Sequence, residues 1–259
     1  MSSTQAKAAV QQRTLPGGCP LWLVERGGPA ILSAKLWLRG GSSADTPGER
    51  GAAQLLAGVL SRGCGDLSGD ALADLVEGCG AGLRCEAAED GTLISLKCAS
   101  GDAPVLLPLL LQMACHPWLV EDQIDLERQL NLQTLQRQKE DPFQLAHDQL
   151  RGLLYGEGPY GHDPLGSEAE LRQLHKEQLQ PVAQKLGQQG AVLVVAGQLP
   201  ANVEELLIGG LSSDPPRWQA PGRLHGPRGL QQPALATSQD DTEQLVLMLG
   251  VSTTALGAP

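Results

Sequence analysis

The side chains most able to bind a metal or to act as nucleophiles are spread thinly along this chain. No histidine is followed four residues later by a second one, the spacing that sets two imidazoles on one helix face. The six cysteines include no Cys-x-x-Cys pair, the spacing typical of zinc and redox sites. We therefore interpret the lone histidines as surface or hydrogen-bonded residues. They are His116, His147, His162, His175 and His225.

Motifs for other chemistries are absent or misplaced. The chain contains neither a Gly-x-Ser-x-Gly elbow nor a Walker loop. The run Gly78-Cys79-Gly80-Ala81-Gly82 superficially looks like a dinucleotide loop, but it follows a predicted helix, whereas such a loop follows a strand. We interpret this run as a helix stop and turn. Ser42-Ser43 lies among glycines and is likewise typical of a turn.

A turn of sequence Gly40-Gly41-Ser42-Ser43-Ala44-Asp45 precedes a predicted helix over residues 49–61, which contains Gln54-Leu55-Leu56-Ala57-Gly58. Further along are Leu154-Tyr155-Gly156, Pro159-Tyr160-Gly161 and an apolar β-rich run over 191–196. In this order, these segments resemble the pitrilysin/insulinase (M16) metallopeptidase family over roughly residues 15–259.

The resemblance implies that a zinc site has been lost. In the family, this helix carries His-x-x-Glu-His, in which the two histidines bind zinc and the glutamate takes a proton from the metal-bound water. Gln54 and Gly58 stand at the two ligand positions, and Ala57 stands at the position of the base. The family's third ligand falls at Thr134, which is 76 residues after Gly58 and seven after Glu127. We expect no bound metal or other cofactor.

Composition limits the function further. The chain has 259 residues, 41% hydrophobic and 19% charged, which is typical of a globular protein. A net charge of −10 disfavours nucleic acid or an anionic membrane as a partner. The first fifteen residues lack the apolar core of a signal peptide. Because the cysteines also lack a disulfide or metal pattern, we expect a reducing, cytoplasmic location.

The order of elements predicts an α+β fold. Strand pairs alternate with helix pairs, which favours helices packed on an antiparallel sheet, and the resemblance implies the LuxS/MPP-like sandwich of M16 peptidases. We predict a mobile tail over residues 1–14 and a domain over 15–211. A proline-rich interdomain linker over 212–233 precedes the start of a truncated second M16-like domain, 234–259, with one strand at 244–250.

Three functions remain open from the sequence. The first is a catalytically inactive M16-like subunit that binds peptide and forms a heterodimer with an active zinc peptidase homologue. The second is an active zinc endopeptidase with an atypical site. The third is a purely structural subunit. A zinc assay of the protein separates the first two hypotheses. Co-purification with an active homologue, and the effect of the chain on that homologue's activity, separate the first hypothesis from the third.

Overall fold

The computed structural model describes residues 9–211, 216–222, 232–239, 244–251 and 253. The strands are β1 (Ala9–Thr14), β2 (Pro20–Glu25), β3 (Ile31–Arg39), β4 (Gly63–Cys64), β5 (Leu67–Ser68), β6 (Gly82–Ala87), β7 (Gly91–Ala99) and β8 (Ala191–Gly197). The helices are α1 (Ala52–Leu60), α2 (Gly69–Gly78), α3 (Ala103–Cys115), α4 (Glu121–Gln138), α5 (Pro142–Tyr155), α6 (Glu168–Leu171), α7 (Lys176–Lys185) and α8 (Val203–Ile208).

Six strands form one sheet in the order β1-β2-β8-β3-β7-β6, and β4 and β5 pair separately. Neighbouring strands are antiparallel except for β2 and β8, which are parallel. Strand β8 lies between β2 and β3, which run in opposite directions, so it must be parallel to one of them. The predicted α+β fold with helices packed on a mainly antiparallel sheet is confirmed.

The core lies between one face of this sheet and the helices. In β3, alternate side chains from Leu32 to Leu38 are fully buried, while Lys35 between them is exposed. This period of two is expected of a strand with one face packed against the core. Helix α3 carries Pro108 in its interior, yet most of its side chains are buried against the same core. No helix in the described ranges combines the length and apolar composition needed to cross a bilayer.

The predicted tail over residues 1–14 is wrong for its last six residues. Ala9–Thr14 forms the edge strand β1, which pairs with β2 along its whole length. The segment is polar, but an edge strand needs only main-chain hydrogen bonds and tolerates exposed side chains. Arg13 also forms an ion pair with Glu204 at 3.2 Å. Residues 1–8 lie outside the described residues.

Residues 168–186 form two helices, α6 and α7, rather than one continuous helix. Leu171 and Leu174 are both fully buried at the break. The chain then restarts as a helix at His175, whose backbone N–H donates to Gln178 Oε1 at 3.0 Å. A continuous apolar period could not show this break, because the break depends on the local capping of His175.

The segments after residue 211 differ from expectation in two respects. Described residues 244–250 form no paired strand; they lie along α5, where the Gly250 backbone approaches Leu150 and Leu154. Part of the predicted linker is packed onto the domain, because Trp218 is only 4% exposed and its indole N–H donates to Leu186 O at 3.1 Å.

Candidate functional site

Helix α1 has one open side, formed by Gln54 and Gly58. Both residues are half-buried, whereas the seven other residues of the helix are buried. Residues four apart lie on the same side of a helix, one turn from each other. The structure therefore brings the two predicted ligand positions together on the side of α1 that the core leaves free.

The start of α1 is fixed by Asp45. Its two carboxylate oxygens accept hydrogen bonds from the backbone N–H groups of Gly51, at 2.8 Å, and Ala53, at 3.0 Å. These are N–H groups that the helix itself cannot satisfy. Burial raises the pKa of Asp45 to about 6, and the two N–H groups partly oppose that rise because they favour the charged form. Asp45 thus positions the helix.

The space beside Gly58 is filled by an ion pair. Glu127 of α4 is 8% exposed, and its carboxylate binds the guanidinium of Arg62 just after α1. A Cβ atom at position 58 would overlap Glu127 Oε2 and lie 2.9 Å from Glu127 Cδ. Glycine is therefore the residue that lets this carboxylate approach α1. Glu127 could be located in the sequence by its spacing from Thr134, whereas its partner Arg62 belongs to no motif.

The other two predicted positions do not join this face. Ala57 is 1% exposed and packs into the core. Thr134 lies on the exposed side of α4, and its hydroxyl donates to Leu130 O within the same helix at 2.9 Å. Within the described residues, no hydrogen bond joins Thr134 to α1. The structure thus assembles Gln54, Gly58 and Glu127, and leaves Ala57 and Thr134 apart.

These residues do not fit a zinc ion. Zinc in proteins is held by imidazole, thiolate or carboxylate ligands. The open side of α1 offers the amide of Gln54, no side chain at Gly58, and one carboxylate, Glu127, whose charge is already paired with Arg62. No catalytic step through a metal can be derived from this set.

A second cluster of metal-ligating types lies at the starts of α4 and α7. Glu121, Asp125 and His175 have ligand atoms within 4.8 Å of one another, and no other such group of three occurs among the described residues. The guanidinium of Arg128 binds both carboxylates. A hydrogen bond with His175, at 2.6 Å, lowers the pKa of Glu121. The positive charge that a metal would supply is therefore already provided by arginine.

Within the described part of the chain, strand β6 forms a free edge of the sheet, and it lies beside α1. The turn after it begins with Ala88 N–H donating to Gly91 O at 2.9 Å. Because antiparallel pairs alternate between bonded and non-bonded positions, every second residue of β6 bonds to β7. The backbone groups of Leu83, Cys85 and Ala87 are then directed away from the sheet. This edge offers main-chain donors and acceptors to an added strand.

The turn between β6 and β7 is held on two sides. The Gly-Ser turn donates to it from Ser42 N to Ala88 O, at 3.1 Å, and from Ser43 N to Glu89 O, at 2.9 Å. From the loop after α5, the Tyr160 hydroxyl donates to the Asp90 carboxylate. Two segments noticed in the sequence therefore have the same structural task, which is to fix the end of the β6 edge relative to α1.

Replacing Tyr160 with phenylalanine should change how stability depends on pH. Burial of the phenol, and secondly its hydrogen bond to Asp90, raise the pKa of Tyr160 from its ordinary value of about 10 to about 12. The neutral phenol is thus favoured in the folded state, so its contribution is complete below pH 10 and is lost as pH rises towards 12. We expect Tyr160→Phe to cost about 1 kcal/mol at pH 7, the net value of one hydrogen bond.

Denaturant unfolding of the parent and of Tyr160→Phe at neutral and alkaline pH would test this expectation. The difference between the two free energies of unfolding should shrink as pH rises from 10 towards 12. Tyr155→Phe is the matched control, because its ring lies 5.9 Å from that of Tyr160. A difference for Tyr160→Phe that stays constant with pH would contradict the assignment.

Comparison with known proteins identifies this architecture. The family model for insulinase (peptidase family M16) matches residues 28–167. An uncharacterized zinc protease of Mycobacterium leprae is 27% identical over 258 residues, which cover 95% of this chain and 56% of that protein. Subunit 1 of the mouse mitochondrial cytochrome b-c1 complex is 25% identical over 155 residues, 60% of this chain and 32% of that protein.

A solved structure agrees with the sequence matches. The peptidase M16 inactive domain from Pseudomonas fluorescens superposes with a TM-score of 0.76 at 25% identity, covering 85% of this chain and 54% of that one. The chain spans about half the length of the Mycobacterium leprae relative. The family match includes the Gly-Ser turn, helix α1 and the Pro-Tyr-Gly loop that clamps the β6 edge. On this evidence, the chain belongs to the insulinase family of M16 peptidases.

Proposed function

We propose that this chain is a catalytically inactive M16 unit that binds peptide and forms a heterodimer with an active zinc peptidase homologue. The observation that carries the proposal is the open side of α1. There the frame of the family is kept, but Gln54 and Gly58 replace the ligands and the Glu127–Arg62 ion pair fills the space beside them. A domain built in this way can hold a substrate but supplies no metal-bound water.

The peptide would bind as an added strand on β6. Main-chain hydrogen bonds give affinity in this mode of recognition, and alternate side chains give specificity. Arg84 and Glu86 of β6 are exposed, whereas Leu83 and Cys85 are half-buried against the core. The edge lies beside α1 and its turn is clamped by Tyr160, so a bound peptide would be held along the helix that carries the lost motif.

We expect a partner because the domain keeps an edge strand that could hold a peptide but lacks catalytic residues. A substrate-holding edge is useful for proteolysis only when another chain provides the catalytic residues. The M16 domain of Pseudomonas fluorescens bears the description "inactive", and the Mycobacterium leprae relative is called a zinc protease. Both kinds of protein therefore occur among the relatives of this chain. We place the heterodimer in the cytoplasm, because six cysteines without paired spacing suit a reducing compartment.

Mixing the chain with a homologue that carries the intact His-x-x-Glu-His motif tests the proposal. We expect a mass equal to one copy of each chain and a rise in peptide turnover over the homologue alone. Ala87→Pro should weaken this effect, because it removes an outward N–H from β6 without removing a bond to β7. Ala87→Ser keeps that N–H and is the matched control.

The outcomes separate the three hypotheses. A monomer that leaves turnover unchanged would contradict the proposal. A complex without any change in turnover would favour a purely structural subunit, the alternative that the similarity to subunit 1 of the mouse cytochrome b-c1 complex supports. One zinc ion per chain, lost in Gln54→Ala, would favour an active peptidase with an atypical site.

A further inference from the structure

A cleft of about 550 Å³ separates α7 from the loop that precedes α1. Its size lies within the range of small-ligand sites. One wall is α7 and the turn that follows it, and the other is formed by the end of β3 and the loop leading to Ala52. Neither the open side of α1, at Gln54 and Gly58, nor any residue of β6 lines this cleft.

Basic side chains lie at one end of the cleft. Arg39 and Lys185 both line it, and they are neighbours because Gly187 N donates to Arg39 O at 2.9 Å, directly after α7. The Arg39 guanidinium is held in place by donating from Nη2 to Gly222 O at 2.6 Å. This end can therefore receive a carboxylate, with one of its two cations in a fixed position.

One acidic side chain, Glu177, lies towards the other end, and a second one, Glu49, lines the facing wall. Glu177 stands at the start of α7, eight residues before Lys185, which corresponds to about 12 Å along a helix. Glu49 lines the facing wall, where one of its oxygens accepts a bond from Thr46 Oγ1 at 2.9 Å. Among the described residues, neither Glu49 nor Glu177 forms an ion pair. This end can therefore receive an ammonium group.

Apolar side chains line part of both walls of the cleft. Pro181, Val182 and Leu186 face Ala52 across it. Like Glu177, Lys185 forms no ion pair within the described part of the chain, so both charges remain available to bind a ligand. A ligand that suits these walls is extended, carries opposite charges at its two ends and is apolar between them.

We propose that this cleft binds a short zwitterionic peptide of three to four residues. Its carboxylate lies at Arg39 and Lys185, its ammonium group lies at Glu49 and Glu177, and its side chains pack on Pro181 and Val182. An extended chain spans about 3.3 Å per residue, so this length matches the separation of the charged ends. The site goes beyond the proposed peptide edge at β6, since it selects free ends rather than a continuing strand.

Calorimetric titration of the full chain with tetra-alanine tests the site. At low ionic strength, tetra-alanine with free ends should bind about tenfold more tightly than N-acetyl tetra-alanine amide, because the blocked peptide lacks both charges. Lys185→Gln and Glu177→Gln should each weaken the free-ended peptide by about fivefold, and added salt should weaken it as well. Both side chains are exposed, so these variants should fold normally.

Two control variants distinguish a loss of direct contact with the peptide from a change in the net charge of the protein. Gln184→Glu changes the net charge by the same amount as Lys185→Gln, and Gln173→Lys by the same amount as Glu177→Gln, at exposed positions that do not line the cleft. These controls should bind tetra-alanine as the parent does. So should Ala87→Pro, which keeps this test independent of the β6 edge and of any partner. Equal binding of the two peptides, unchanged affinity in Lys185→Gln, or no saturable binding would overturn the proposal.

Discussion

Installing the family's residues at all four positions, as Gln54→His, Ala57→Glu, Gly58→His and Thr134→Glu, should give a chain that binds no stoichiometric zinc. A side chain at position 58 would overlap the Glu127 carboxylate. A glutamate at position 57 would bury a charge in the core, where Ala57 is 1% exposed. Uncompensated burial of a charge costs several kcal/mol, so this variant should also be much less stable than the parent.

The decisive single substitution is Gly58→Ala. Alanine normally stabilises a helix interior by about 1 kcal/mol relative to glycine. Here we expect the opposite sign, because the added Cβ would force the Glu127 carboxylate away from Arg62. We expect a loss of about 1–3 kcal/mol, the range for overpacking at a close contact. Denaturant unfolding would measure it, and Gly152→Ala is the matched control.

Gly152 lies inside α5, and nothing stands within 4 Å of a Cβ built on it. Gly152→Ala should therefore gain stability where Gly58→Ala loses it. Adding Glu127→Ala to Gly58→Ala should recover part of the loss, because the overlapping carboxylate is then gone and Arg62 can reach solvent. A stabilising Gly58→Ala, or one zinc per chain in the fourfold variant, would show that the ion pair does not block the site.

The parts of the fold that the sequence predicts well are those with a local pattern. Ser68 illustrates this, because serine is a residue type that favours the N-cap position, and its hydroxyl accepts from Ala71 N at 3.2 Å at the start of α2. Helix α1 likewise lies within the helix predicted over residues 49–61. Each of these features needs only residues within one or two turns of each other.

The parts that the sequence misses depend on contacts between distant segments. Glu127 lies 65 residues from Arg62, and no spacing rule marks the two as partners. The strand at Ala9–Thr14 is mostly polar, and its pairing with the distant β2 is what identifies it as a strand. Thr134 could be aligned by counting from Glu127, but counting does not show that Glu127 itself is the side chain next to α1.

Removing the indole of Trp218 should release the segment 216–222 from the domain. Trp218 is 4% exposed, and burial of such a side chain contributes about 3–5 kcal/mol when it is truncated to alanine. Main-chain contacts also hold this segment in place. Gln219 O accepts from Ala191 N at 2.8 Å, which extends the start of β8. A Cβ at Gly187 would lie 2.8 Å from the indole nitrogen. The domain is therefore shaped to receive this tryptophan.

Because the segment can detach without unfolding the core, the loss should appear mainly as local opening rather than as global instability. Limited digestion with trypsin would show this directly, since Arg217 is exposed but precedes the anchored backbone. We expect Trp218→Ala to speed cleavage after Arg217 by about tenfold or more, as 1.4 kcal/mol of lost docking already gives a tenfold change. Trp22→Ala, at a side chain 38% exposed on β2, is the control and should leave the rate unchanged. If both variants are cut as slowly as the parent, the main-chain contacts alone hold the segment, and Trp218 is not its anchor.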